Sequence, residues 1–202
     1  MRQATELGWQ AAGLVMKRIA ELIQANLNLR VFLPLLVLAL ATTWYGLFYS
    51  VDKFAEMTGG LSFMDMQRRL TPGEMFAQVA SFTPETVSFY VAWSVFDYAW
   101  PLITFTASLF ICAWLLTFLA EKWQQRFWWL VTVAYITVLF DWLENIGFVA
   151  VVLSVPDEPL WIAQTASVMH DCKMLFMMIF NLGWWILLPT VIVIEIRRRF
   201  RQ

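Results

Sequence analysis

Charge is what this chain has least of. Only 14% of its 202 residues are Asp, Glu, Lys or Arg, against about 25% in soluble domains, and the shortage falls in long uncharged runs. A soluble globular body is therefore excluded. There is a single histidine, His170, so neither a multi-histidine metal site nor a bis-histidine haem can be built. Of the two cysteines, Cys112 is expected near one end of its helix and Cys172 near the opposite end of another, which argues against a disulfide or redox pair. No H-E-x-x-H, E-x-x-H, G-x-S-x-G or glycine-rich phosphate loop occurs. The net charge of −1, with no basic stripe among aromatics, speaks against nucleic-acid binding. No cofactor is assigned, and no metal ligand set is expected.

What is present is apolar. Hydrophobic residues make up 60% of the chain and aromatics 17%, and the mean hydropathy of +0.64 belongs to a protein whose solvent is a bilayer. Four spans follow from the uncharged stretches, at about 31–51, 84–120, 127–155 and 160–194. At ~1.5 Å per residue each covers the ~30 Å hydrocarbon core. The expected fold is all-α, a polytopic four-transmembrane-helix bundle over residues 31–196, preceded by an amphipathic interfacial helix within residues 1–30. In that helix Leu7, Leu14, Ile19, Leu22 and Ile23 alternate with Glu6, Lys17, Arg18, Glu21 and Gln24, the pattern of a membrane-surface anchor. Its charges are wrong for a cleavable signal peptide. The 12 tryptophans, among them Trp93, Trp123, Trp128, Trp129 and Trp161, read as interfacial belts.

Orientation follows from lysine and arginine. Arg2, Lys17, Arg18, Arg30, Lys122, Arg126, Arg197, Arg198, Arg199 and Arg201 lie on one side, against Lys53, Arg68 and Arg69 on the other, ten to three. The positive-inside bias predicts a multi-pass cell-membrane protein with both termini cytoplasmic, which four spans also require. The loop 52–83 is then external. Within it Thr71-Pro72-Gly73-Glu74 has capping-box spacing around a first-turn proline and predicts a short helix. Its Met75, Phe76, Val79 and Ala80 are placed to lie over the bundle mouth.

Six polar residues interrupt the apolar helices: Asp97, Asp141, Glu144, Asn145, His170 and Lys173, with Asp171 beside them. An unpaired charge at the centre of a membrane helix costs at least ~2.5–3.5 kcal/mol, so such residues mark a functional site by default. Asp141, Glu144 and Asn145 stand at i, i+3 and i+4 and share a helix face; so do His170 and Lys173. Lys173, Met177 and Asn181 continue a four-residue stripe. Pro101 frees the carbonyl of Asp97, one turn earlier, for another donor. Counted from the cytoplasmic edges, Asp141 and Glu144 lie roughly 21 and 25 Å up, and Asp97 and Lys173 roughly 30–35 Å, toward the external end. A shared acid-rich pocket opening outward is expected.

Four acids face one lysine and one histidine, so full ionisation is not expected; protons, a cation or a metal would balance the excess. Pairing of Lys173 with Asp141 or Glu144 as interhelical glue explains part of the set but leaves acids over. Asp171 reads as facing water at the outer surface. Met169, Met174, Met177 and Met178 read as lining an apolar cavity rather than binding a soft metal.

The succession Thr83-Pro84-Glu85, Phe96-Asp97-Tyr98, Trp100-Pro101-Leu102, Asp141-Trp142-Leu143-Glu144-Asn145 and Lys173 resembles an uncharacterised family of small four-helix bacterial membrane proteins. The resemblance covers roughly residues 71–189. It implies the fold and the site, and carries no activity; a cell inner membrane location is expected. Three functional classes stay open: binding or moving a proton, cation or small polar solute; a membrane enzyme on a lipid or isoprenoid ligand, with Glu144 or Asp141 as acid/base; and an accessory or sensor subunit. Oligomeric state is open as well.

Overall fold

The computed structural model describes residues 2–200, with side chains from residue 13 onward. The described residues are all-α, and four helices are long and apolar enough to cross a membrane: Leu29–Thr58, Pro84–Leu116, Glu121–Leu153 and Leu160–Arg199. In chain order the elements are α1 (Arg2–Ala25), α2 (Leu29–Trp44), a π-helical stretch (Tyr45–Ser50), α3 (Val51–Thr58), a 3-10 turn (Met64–Met66), α4 (Pro72–Ala80), α5 (Pro84–Leu116), α6 (Glu121–Gln124), α7 (Trp128–Leu153) and α8 (Leu160–Arg199). Ala20 and Ile23 of α1, helix α6 and the last turns of α8 lie at one end, called the terminal end, and the 59–83 and 154–159 connections at the other, the loop end.

The first spanning helix is longer than its uncharged run. It continues past Val51 through α3, where Asp52, Lys53 and Glu56 face outward while Phe54 is fully buried, and stops where Gly59 adopts φ 72°. Those charges mark where the helix leaves the apolar layer, and a left-handed glycine ends it. At the other boundaries α5 stops at Leu116, before the expected 120, whereas α8 carries its arginines helically to Arg199.

Helices α5, α7 and α8 form the core, with α2 laid chiefly along α5. The closest pairing is α7 with α8, and Gly147 explains it: a Cβ there would stand 2.7 Å from the Ala166 Cβ and 3.0 Å from its Cα. Only a residue without a side chain lets the backbones approach so far. Two apolar clusters divide the interior. The one at the terminal end contains Leu109, Val131, Ala134 and Phe180 together with Ala20 and Ile23 of α1. Helix α1 thus packs its inner face against the core, and Gln24 Nε2 donates to the Gln124 carbonyl at 3.2 Å. Leu14, Val15 and Leu22 stay exposed on its other side.

The cluster at the loop end contains Phe54, Phe63, Trp93, Met75, Phe76, Val79, Phe148 and Ala166. Phe63 stacks between Phe54 (centroids 4.2 Å) and Trp93 (4.6 Å), which fixes the loop to α3 and α5. Helix α4 starts with its capping box made: Thr71 accepts from the Glu74 N–H at 3.3 Å, and Glu74 accepts from the Thr71 N–H at 2.7 Å. Those backbone and hydroxyl donors hold the exposed Glu74 carboxyl below its usual value. Met75, Phe76 and Val79 turn inward over α7 and α8, but Ala80 faces solvent. At 100° per residue Ala80 lies beside Val79 on the rim of that face rather than on it.

Candidate functional site

Between the two apolar clusters lies a polar layer, and each of the three core helices contributes to it at a determined level. On α5, Asp97 sits after Trp93 of one cluster and before Leu109 of the other. On α7, Asp141, Glu144 and Asn145 fall between Ala134 and Phe148; on α8, His170 and Lys173 fall between Ala166 and Phe180. All six residues expected from sequence meet here. Asp97, Asp141, Asn145 and Glu144 are buried, Glu144 completely, while the His170 and Lys173 side chains retain 13% exposure each.

The contacts form one line. His170 Nδ1 lies 2.8 Å from Glu144 Oε1. Lys173 Nζ lies 3.0 Å from Glu144 Oε2 and 2.7 Å from Asp141 Oδ1, bridging the two acids. Asn145 Nδ2 donates to Asp97 Oδ2 at 2.9 Å and stands 3.3 Å from Asp141 Oδ2. The Lys173–Glu144 contact is an ion pair at poor hydrogen-bond angle, since Glu144 Oε2 finds no well-aligned donor. The i, i+3, i+4 spacing on α7 puts the three side chains on one face, with Glu144 reaching His170 and Lys173 of α8 and Asn145 reaching Asp97 of α5.

The charge balance is uneven. Lys173 serves Asp141 and Glu144, and His170 touches Glu144, whereas Asp97 meets only the neutral amide of Asn145 among these side chains. Near Pro101 the Trp142 indole N–H donates to the Tyr98 carbonyl at 2.8 Å, one residue beyond the carbonyl that the proline releases. Further toward the terminal end α5 and α7 are linked by Thr106 Oγ1 with Tyr135 Oη at 3.1 Å. Beyond it the apolar cluster of Leu109, Val131 and Phe180 closes the interior.

The loop end differs from an open vestibule. The 3-10 turn and α4 pack across α7, and α4 also across α8, so the acids are covered rather than facing a mouth. The cover follows from the loop's own apolar residues, Phe63, Met64, Met75 and Phe76, all buried. The cover also brings in a residue that the sequence reading left out, Asp65. Its half-buried carboxyl is pushed up to about 6, first by burial; Lys173 opposes that, and Glu144 and Asp141 add to it. It therefore belongs to the same electrostatic unit. Its signal was a lone acid inside Phe63-Met64-Asp65-Met66, an apolar patch in an otherwise polar loop. Asp171 pairs with Arg69 of the same loop at 3.0 Å, both well exposed.

Two further expectations are modified. Asn181 is exposed and does not share the inward stripe of Lys173, because each four-residue step advances 400° and two steps carry it about 80° around the helix. Met174, Met177 and Met178 line an open groove of about 540 Å³ on the outer side of α8, not an internal cavity. Cys112 and Cys172 are both free. Among the described residues no three His, Cys, Asp or Glu side chains converge in a way that could hold a metal ion. Comparison of the chain with protein-family models, with curated proteins and with solved structures finds no match.

Proposed function

We propose that this integral membrane protein exchanges protons at the buried Asp97–Asn145–Asp141–Lys173–Glu144–His170 line and uses that site to move a proton across the membrane. The observation that carries the reading is the single amide of Asn145 standing 2.9 Å from Asp97 Oδ2 and 3.3 Å from Asp141 Oδ2. Two carboxylates on one neutral donor, with the only nearby ammonium already between Asp141 and Glu144, leave a negative charge to be balanced inside an apolar layer. A proton balances that charge without a convergent metal-ligand set, and none is found among the described residues.

His170, whose side chain keeps 13% exposure 2.8 Å from Glu144, is the entry from the loop end, and Asp65 of the covering loop is an acid close to neutral range. Lys173 lies between two acceptors and can follow whichever of them carries charge. The loop covers the site at one end and the apolar cluster seals it at the other, so no continuous path crosses the molecule, as suits a carrier rather than an open channel. By the ten-to-three distribution of basic residues, the loop end faces outward and both termini are in the cytoplasm.

Proton flux into dye-loaded proteoliposomes under an imposed potential tests the proposal. The wild type is expected to acidify the lumen, and Asp97→Asn and Glu144→Gln to abolish the signal while the purified proteins stay folded. Equal flux in wild type and both variants refutes the reading.

A further inference from the structure

A groove at the terminal end has no part in the proton site, and its chemistry is of another kind. It holds about 700 Å³ between the α5–α7 connection and α8. Its floor is apolar: Leu130 of α7 faces Gly183, Ile186 and Leu187 of α8. At Gly183 the Leu130 side chain lies close against the α8 backbone, since a Cβ there would stand 2.8 Å from Leu130 Cδ2. From Gly183 to Ile194, both of which line it, the trough runs ~16 Å along α8.

At its mouth stand two cations, Lys122 and Arg126. Both are exposed, and among the described residues neither has a carboxylate within ion-pair distance. Both lie instead over the ring of Trp123, at 5.7 and 5.6 Å from its centroid. An indole belongs at the level of lipid headgroups, and two unneutralised cations beside it, above a hydrocarbon-lined trough, complement an amphiphile with a negative head. The nearest acid of the connection, Glu121, is turned to Gln125 at 3.3 Å and does not line the groove.

We infer that this groove is a binding site for an anionic phospholipid, its phosphate held by Lys122 and Arg126 and an acyl chain lying along Leu130, Gly183, Ile186 and Leu187. A free phosphate would use the cations but has no use for the trough. An uncharged lipid would use the trough and leave the cations unmatched.

The protein reconstituted in phosphatidylcholine vesicles, with spin-labelled phosphatidylglycerol or phosphatidylcholine as probe, gives the relative association of the two lipids. Wild type is expected to prefer phosphatidylglycerol, and the preference to fall about five-fold for each cation removed in Lys122→Gln and Arg126→Gln. The Arg197→Gln/Arg198→Gln variant, altered at the other basic cluster of the same end, should keep it. Ile186→Trp, at an exposed position on the trough, should lower the bound fraction of phosphatidylglycerol without touching the cations. The proposal is overturned by equal association of the two lipids in wild type, or by a preference that survives Lys122→Gln/Arg126→Gln. It is equally overturned if the preference follows the arginine tail, if Ile186→Trp leaves binding intact, or if inorganic phosphate alone displaces the label.

Discussion

Lys173 holds the cluster together because it is the one cation between two buried acids, 2.7 Å from Asp141 and 3.0 Å from Glu144. Removing one partner of a buried ion pair strands the other charge, at a cost of about 3–5 kcal/mol. Lys173→Met should therefore lower thermal stability in detergent markedly, and adding Glu144→Gln should recover part of the loss without recovering proton flux. Restored flux in the double variant would make the pair a structural clip only. Asp65 predicts a pH dependence of defined sign. Its carboxyl is raised from an ordinary 3.8 to about 6, so the folded state holds its proton more tightly than the unfolded one. Its contribution to stability is full below about pH 4 and is lost as pH rises toward 6. Asp65→Asn should thus leave stability unchanged at pH 4 and raise it by roughly 1–2 kcal/mol at pH 8, a value discounted for partial solvent access. A thermal midpoint difference that does not vary with pH would contradict this. The six membrane residues were legible in the sequence because each is a polar interruption of an apolar run. Asp65 was not, because an acid in a loop looks ordinary until the loop is seen to fold over Lys173.

At the scale of elements, the register of α7 against α8 decides whether His170 and Lys173 reach Glu144. Gly147 lies one turn after Glu144, and its partner Ala166 one turn before His170. Gly147→Leu forces the backbones apart, since Ala166 Cα cannot move away as a flexible side-chain tip would. A destabilisation of about 1–3 kcal/mol is expected, together with loss of flux even though no polar residue has changed. Preserved flux would mean that the α7–α8 spacing does not control the site. The spanning helices could be read from uncharged length alone, and the start of α4 from Thr71, Pro72 and Glu74. Three features could not. The continuation of the first helix through Asp52, Lys53 and Glu56 depends on Phe54 finding a buried place. The inward docking of Ala20 and Ile23 depends on a core assembled from α5, α7 and α8. The cover over the acids depends on Phe63 stacking between Phe54 and Trp93. All are tertiary choices that a local pattern permits without requiring.

For the whole molecule, the layering carries the functional meaning. An aromatic-rich apolar cluster capped by the loop, a polar layer, and a second apolar cluster sealed by α1 succeed one another from end to end. The polar layer is covered at the loop end, where His170 keeps partial exposure, and is blocked toward the terminal end below Thr106 and Tyr135. Movement that opened the lower seal while closing the loop would carry a bound proton across, and Pro101, directly below Asp97 within α5, is a natural place for that helix to flex. Every version of this account requires that a carboxyl group in the layer gain and lose a proton in the folded protein. Infrared difference spectroscopy of the reconstituted protein, stepped between pH 5 and pH 8, measures that directly. The account predicts a protonated-carboxyl stretching band that appears at the lower pH and is lost in Asp97→Asn; a spectrum without such a band, or one in which the band is unchanged by that substitution, would contradict it.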